Sequence, residues 1–100
     1  MPSNDLASTL TQAQAVAGPG PWIRVRNVEE ARTFQVTIAG VATVAIEASN
    51  DGVNPIPLQV GITTSAGYTD DGAWGYVRSN VTSYTSGSVT AVMGERSLVQ

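Results

Sequence analysis

The 100-residue chain contains no Cys, no His and no Lys, and its formal net charge is −3. Without Cys there are no disulfides, thiolate nucleophiles or Cys-held zinc and iron–sulfur centres. Without His the usual general base and the commonest metal ligand are missing, and without Lys so are Schiff-base and P-loop chemistry. Charged residues make up only 13% of the chain, about half the usual share. Five arginines against eight carboxylates are too few to displace counterions from a nucleic-acid backbone, so no direct nucleic-acid binding is expected. No run approaches the roughly 18 apolar residues of a membrane helix, and the first ten residues lack the basic and apolar regions of a signal peptide. The expectation is a protein made in a cytosol, without membrane attachment and without enzymatic activity.

Neutral polar side chains are plentiful: nine Ser and eleven Thr carry the solubility that charge does not. Burying a hydroxyl against another protein costs far less than burying an unpaired charge, so this composition suits a surface in contact with neighbours. It equally suits a monomer with a Thr-rich sheet surface, because Thr favours strands.

Residues 1–21 are rich in Ala, Ser, Thr and Gln and end in Gly18-Pro19-Gly20-Pro21. They read as an N-terminal arm to a domain spanning residues 22–100. A helix over residues 5–17 can be capped by Ser3, Asn4 or Asp5, and it would place Leu6 and Leu10 on one face, but two leucines cannot hold it alone. Ordering an arm costs about 1 to 2 kcal/mol per residue. The preferred expectation is that contacts on a neighbouring subunit offset this cost; the alternative is docking on its own domain.

From Trp22 onward the pattern is strand-like. Residues 33–39 set Phe34, Val36 and Ile38 against Thr33, Gln35 and Thr37, and residues 42–48 set Val44 and Ile46 against Thr43, Ala45 and Glu47. Ser49-Asn50-Asp51-Gly52 reads as a tight turn. Pro55 and Pro57 demote residues 58–63 to an edge strand, and residues 67–75 read as a glycine- and aspartate-rich loop. Residues 76–84 and 88–93 read as two strands joined by a turn at Thr85-Ser86-Gly87. With residues 22–26 these segments fit an all-β antiparallel sandwich of about seven strands, of immunoglobulin-like or jelly-roll-like kind.

Two carboxylate-bearing segments, Asn50 to Asn54 and Asp70-Asp71-Gly72, hold enough oxygen to suggest calcium, but each is a self-bonded turn by composition, and no metal or cofactor is expected. The same carboxylates lack a pocket that would set apart a glycosidase acid and base. Asn80-Val81-Thr82 reads as ordinary strand. Of the two tryptophans, Trp22 on a strand is expected in the core, and Trp74 in the loop is expected, with Tyr68, at an interface or on a glycan. Arg24, Arg26 and Arg78 reach either carboxylates of a neighbouring subunit or internal partners such as Glu29, Glu30 and Glu47. The partner-binding candidates are thus Leu6, Leu10, Tyr68, Trp74, Arg24, Arg26 and Arg78.

The segments Gly20-Pro21-Trp22-Ile23-Arg24-Val25, Phe34-Gln35-Val36, Val44 to Asn54 with its Ile46-Glu47-Ala48-Ser49-Asn50-Asp51-Gly52 hairpin, and Tyr76-Val77-Arg78 through Ser83-Tyr84-Thr85-Ser86-Gly87-Ser88-Val89 occur in this order. Over residues 20–94 the chain resembles a group of small structural proteins of tailed bacteriophages. That resemblance implies a virion component that decorates or cements the capsid or contributes to the tail or neck, located in the virion and assembled in the bacterial cytoplasm. Its implied partners are the major capsid protein or other virion proteins, with further copies of itself as a homo-oligomer or on a lattice. A carbohydrate-binding or host-adhesion module is the alternative from another class.

Overall fold

In a computed structural model, residues 5–26, 28 and 30–96 are described, the side chains of Asp5, Leu6 and Arg96 excepted. The chain is all-β and antiparallel. Among the described residues seven strands follow in order: β1 (Asp5–Gln14), β2 (Gly18–Pro19), β3 (Ile23–Arg24), β4 (Arg32–Ser49), β5 (Ile56–Ile62), β6 (Ala66–Asp70) and β7 (Tyr76–Arg96).

Two strands dominate. β4 runs for 18 residues and β7 for 21, and they pair with each other from Arg32↔Glu95 to Ser49↔Tyr76. The segments expected as four strands are therefore two, and Thr85-Ser86-Gly87 is not a hairpin turn but part of β7. A ribbon this long cannot stay flat and also bury one face, so it folds over at its middle. There Gly40 and Gly87 face each other in the register, with φ of 118° and 85°. Both values lie where a side chain is strained. A Cβ built on Gly40 would come within 2.8 Å of the Gly87 Cα, and one on Gly87 would fall on the Ala39 carbonyl oxygen.

Folding over creates the two layers of the sandwich. The first consists of β6, residues 32–39 of β4, residues 88–96 of β7, and β1. The second consists of β5, residues 42–49 of β4, residues 76–84 of β7, and the short β2 and β3. Register shifts between Val41 and Ala42 and between Thr43 and Val44 each leave one extra residue on β7. One such bulge would turn every later β7 side chain inside out; two restore the phase. Even-numbered residues of β4 and odd-numbered residues of β7 thus point inward on both sides of the fold. Phe34, Val36, Val44, Ile46, Val77, Val81, Val89, Ala91 and Met93 share one core.

The inward row at one end of the first layer is charged. Arg32 lies opposite Asp70 on β6 and Glu95 on β7, its side chain fully buried and paired with Asp70 at 2.5 Å. Glu95 in turn accepts from the Arg26 backbone N–H at 2.8 Å and from its Nε at 3.3 Å. A charge at an inward position persists only when flanking strands supply its counter-charge.

The segment expected as an arm or a helix supplies strands. β1 pairs with the C-terminal part of β7, β2 pairs at Val81 and Asn80, and Leu10 is 1% exposed in the core. Residues 5–14 are thus docked on their own domain, Ser8 and Leu10 following a period of two. The stretch expected as a loop likewise contains β6, whose Tyr68 lies opposite Phe34. The Pro55/Pro57 strand sits at the end of the sheet path, next to β4 alone, where missing N–H donors do least harm.

Three substitutions test this architecture in denaturant unfolding. Gly87→Ala is expected to cost about 4 kcal/mol or more, Leu10→Ala about 2 to 5 kcal/mol, and Val53→Ala, at an exposed loop position, no more than about 0.5 kcal/mol. A Leu10→Ala protein as stable as the parent would contradict a docked β1.

Candidate protein-interaction surface

The two outer faces of the sandwich differ in chemistry. On the second layer, Arg78 lies opposite Glu47 and donates to it through Nε at 2.8 Å, while Asn80 donates to the other carboxylate oxygen at 3.2 Å. The Trp22 ring lies over the same guanidinium, 4.3 Å from centroid to Cζ, and Arg24 sits 5.9 Å over the Tyr76 ring. Cations and aromatics on this face are therefore engaged with one another.

Between residues 7–9 of β1 and residues 67–69 of β6, the first layer's outer face carries no charged side chain. One row across its four strands reads Thr69, Thr33, Gly94, Ala7, and the next reads Gly67, Gln35, Val92, Thr9. Glycine and alanine at the rows' ends and centre lower the surface there, leaving a groove of about 670 Å³. Hydroxyls, one amide and one valine are what it offers. Burying such groups against a partner costs little when each hydroxyl finds a hydrogen bond, so the face is suited to protein contact.

The candidates named from sequence are scattered over the molecule. Leu10 is core; the Leu6 side chain and Glu29 lie outside the described residues. Tyr68 points inward and packs against the core, as does Trp74. The expectation for the tryptophans is thus reversed: Trp22 stacks outside on Arg78, and Trp74 is the one turned in. Gly72 makes room for it, since a Cβ there would stand 2.5 Å from Trp74 Nε1. Arg26 reaches Glu95 and, through Nη2, the Ser8 hydroxyl at 2.7 Å; Arg78 reaches Glu47. Their carboxylate partners are internal, and Arg26 uses one that was not foreseen. Sequence reasoning missed the groove itself, although the uncharged outer alternation of Thr33, Gln35 and Thr37 was its visible half.

No group of three or more acidic side chains converges among the described residues. Asp51 instead closes its own turn, accepting from the Ser49 hydroxyl at 2.6 Å, from the backbone N–H groups of Val53 and Asn54, and from the Asn54 side-chain amide. The Ser49 hydroxyl leads these donors in holding the carboxyl well below the usual carboxylate range. Asp70 is occupied by Arg32. The calcium reading therefore has no ligand set at these positions.

The sandwich resembles that of a prophage protein. YomS, derived from the SPBc2 prophage, superposes at a TM-score of 0.76 and 14% sequence identity, covering 90% of both chains. At that identity the likeness shows the fold alone. A chain of the disulfide-linked pili that form Bacillus endospore appendages aligns at a TM-score of 0.49 and 16% identity, over 94% of this chain and 83% of that one, too distant to carry an argument. No family model and no curated protein sequence matches the chain.

Two measurements follow. In a carbon-detected NMR titration, Asp51 is expected to protonate well below the ordinary carboxylate midpoint of about 4. A depressed folded-state value means that its contribution to stability is fully present above that midpoint and is lost as pH falls towards the folded value; Ser49→Ala should raise the midpoint. In thermal or chemical unfolding, Trp74→Ala should cost about 3 kcal/mol and Trp22→Ala about 1 kcal/mol. The reverse order would contradict the placement of the two rings.

Proposed function

We propose that the chain is a non-enzymatic structural protein of a bacteriophage virion and, more specifically, a decoration or cement protein that binds the assembled head. The observation that supports this reading is the grooved part of the first layer's outer face, lined by Thr33, Gln35, Thr69, Val92 and Gly94 with no charged side chain. The sandwich shared with a prophage-derived protein supports the phage setting, as do the ordered segments from Gly20 to Val92 that resemble phage structural proteins. Its partners on this reading are the major capsid protein or other virion proteins.

The mechanism is mass action: a protein that binds the assembled shell and not its free subunits shifts the balance towards the intact particle. Because β1 belongs to the chain's own sheet, the clamp falls to the sheet face and not to residues 5–14. Removing residues 1–17 would strip a strand and Leu10 from the core, so the domain itself would suffer. A tail or neck component remains the second reading of the same surface. The glycan-binding alternative loses support because its aromatics, Tyr68 and Trp74, pack on the core.

Gel densitometry of purified particles tests the placement. A copy number comparable to that of the major shell protein is expected; a handful of copies per particle would move the chain to the tail or neck, and its absence from particles would end the virion reading.

A further inference from the structure

We propose that Asp71-Gly72 is a site of spontaneous backbone modification, at which the folded chain passes through a succinimide to isoaspartate, while the identical pair Asp51-Gly52 is held unreactive by its turn. This chemistry belongs to the chain itself and is independent of its place in a particle.

Asp-Gly occurs twice in the sequence and Asn-Gly not at all. In the reaction the glycine backbone nitrogen attacks the aspartate Cγ. A C–N bond forms, and the amide proton leaves with a carboxyl hydroxyl as one water. Water then reopens the ring at either carbonyl. Breaking the bond from nitrogen to Cγ restores aspartate; breaking the bond from nitrogen to the α-carbonyl leaves the chain running through the side-chain carboxyl, as isoaspartate. The water lost is regained, so no other reactant is needed. The step requires a carboxyl free to turn towards the backbone, an amide not already donating, and a following residue with no Cβ in the way.

Both aspartates are exposed, so access to solvent does not separate them. Hydrogen bonding does. The Asp51 carboxylate accepts from the Ser49 hydroxyl, from the Val53 and Asn54 backbone N–H groups and from the Asn54 amide. The Gly52 N–H, which would be the nucleophile, donates to the Ser49 hydroxyl oxygen at 3.0 Å. The same donors keep the carboxyl ionised, the form that nitrogen attacks less readily. Asp70 is likewise committed, to Arg32. Among the described residues Asp71 has no hydrogen bond or ion pair, and the Gly72 N–H, outside the strands, has no acceptor.

The fold itself imposes glycine at position 72. A Cβ there would stand 2.5 Å from Trp74 Nε1, and Trp74 packs against the core. Seating that ring thus puts an unhindered amide directly after an uncommitted carboxyl. The product adds one methylene to the backbone between Asp70, which pairs with the buried Arg32, and Trp74.

Warming the full chain at neutral pH, folded and in denaturant, tests this, with isoaspartate located by proteolysis and electron-transfer fragmentation. In the folded chain isoaspartate is expected to accumulate at Asp71 at least about tenfold faster than at Asp51, the factor that about 1.4 kcal/mol supplies. A smaller ratio overturns the proposal. In denaturant the two rates are expected to converge to within about threefold; a ratio that persists there would place the difference in local sequence and not in the fold, which also overturns it. Ser49→Ala is expected to raise the Asp51 rate in the folded chain, and an unchanged rate would contradict protection by the turn. Circular dichroism verifies folding, and Asn54→Ala replaces Ser49→Ala if the latter fails to fold.

Discussion

Everything in this molecule depends on the crossing of two glycines. Gly40 and Gly87 face each other in the middle of a ribbon made from β4 and β7, and the close approach of their backbones leaves no space for a Cβ on either side. At this point one long two-stranded ribbon becomes two stacked layers. Without the fold, the inward residues of the two halves would form separate apolar patches, each too small to support a core. With it, Phe34 and Val36 on one half and Val44 and Ile46 on the other share a single interior. The paired bulges on β7 belong to the same device, because they return its side chains to phase after the bend.

Once the ribbon has folded, its flanks are filled by shorter strands, and the placement of charge follows. Arg32 falls on the inward face, where Asp70 and Glu95 on the adjoining strands hold it. Arg78 falls on the outer face of the second layer, where Glu47 holds it from below and Trp22 covers it. Charges and rings that might have served a partner are largely committed within the chain. The Thr, Gln, Gly and Ala rows of the first layer, by contrast, are neutral.

Much of this was legible in the sequence, and the rest was hidden for identifiable reasons. The alternation of Phe34, Val36 and Ile38, of Val44 and Ile46, and of Val89 and Ala91 correctly assigned the inner face. The Asp51 turn and the edge character of the proline-bearing strand could be read from residue type alone. The continuity of β4 and β7 could not, because glycine beside Ser and Thr signals a turn whether the chain reverses or only bends. β1 was obscured because Ala, Ser, Thr and Gln have little side chain to reveal a period of two, and the strand is held by β7, which lies some eighty residues away. The two tryptophans were misassigned because a loop position does not tell which way a ring turns. The groove was out of reach, since it arises where β6, β4, β7 and β1 come side by side.

On the proposed reading, this small sandwich offers the grooved face of its first layer to other proteins of a phage particle. Electron cryomicroscopy of phage particles that contain the chain tests this most directly. The account predicts density for the sandwich in which the face bearing Thr33, Gln35 and Gly94 is covered by a neighbouring protein. Density with that face open to solvent, and the Trp22 and Arg78 face buried instead, would contradict it.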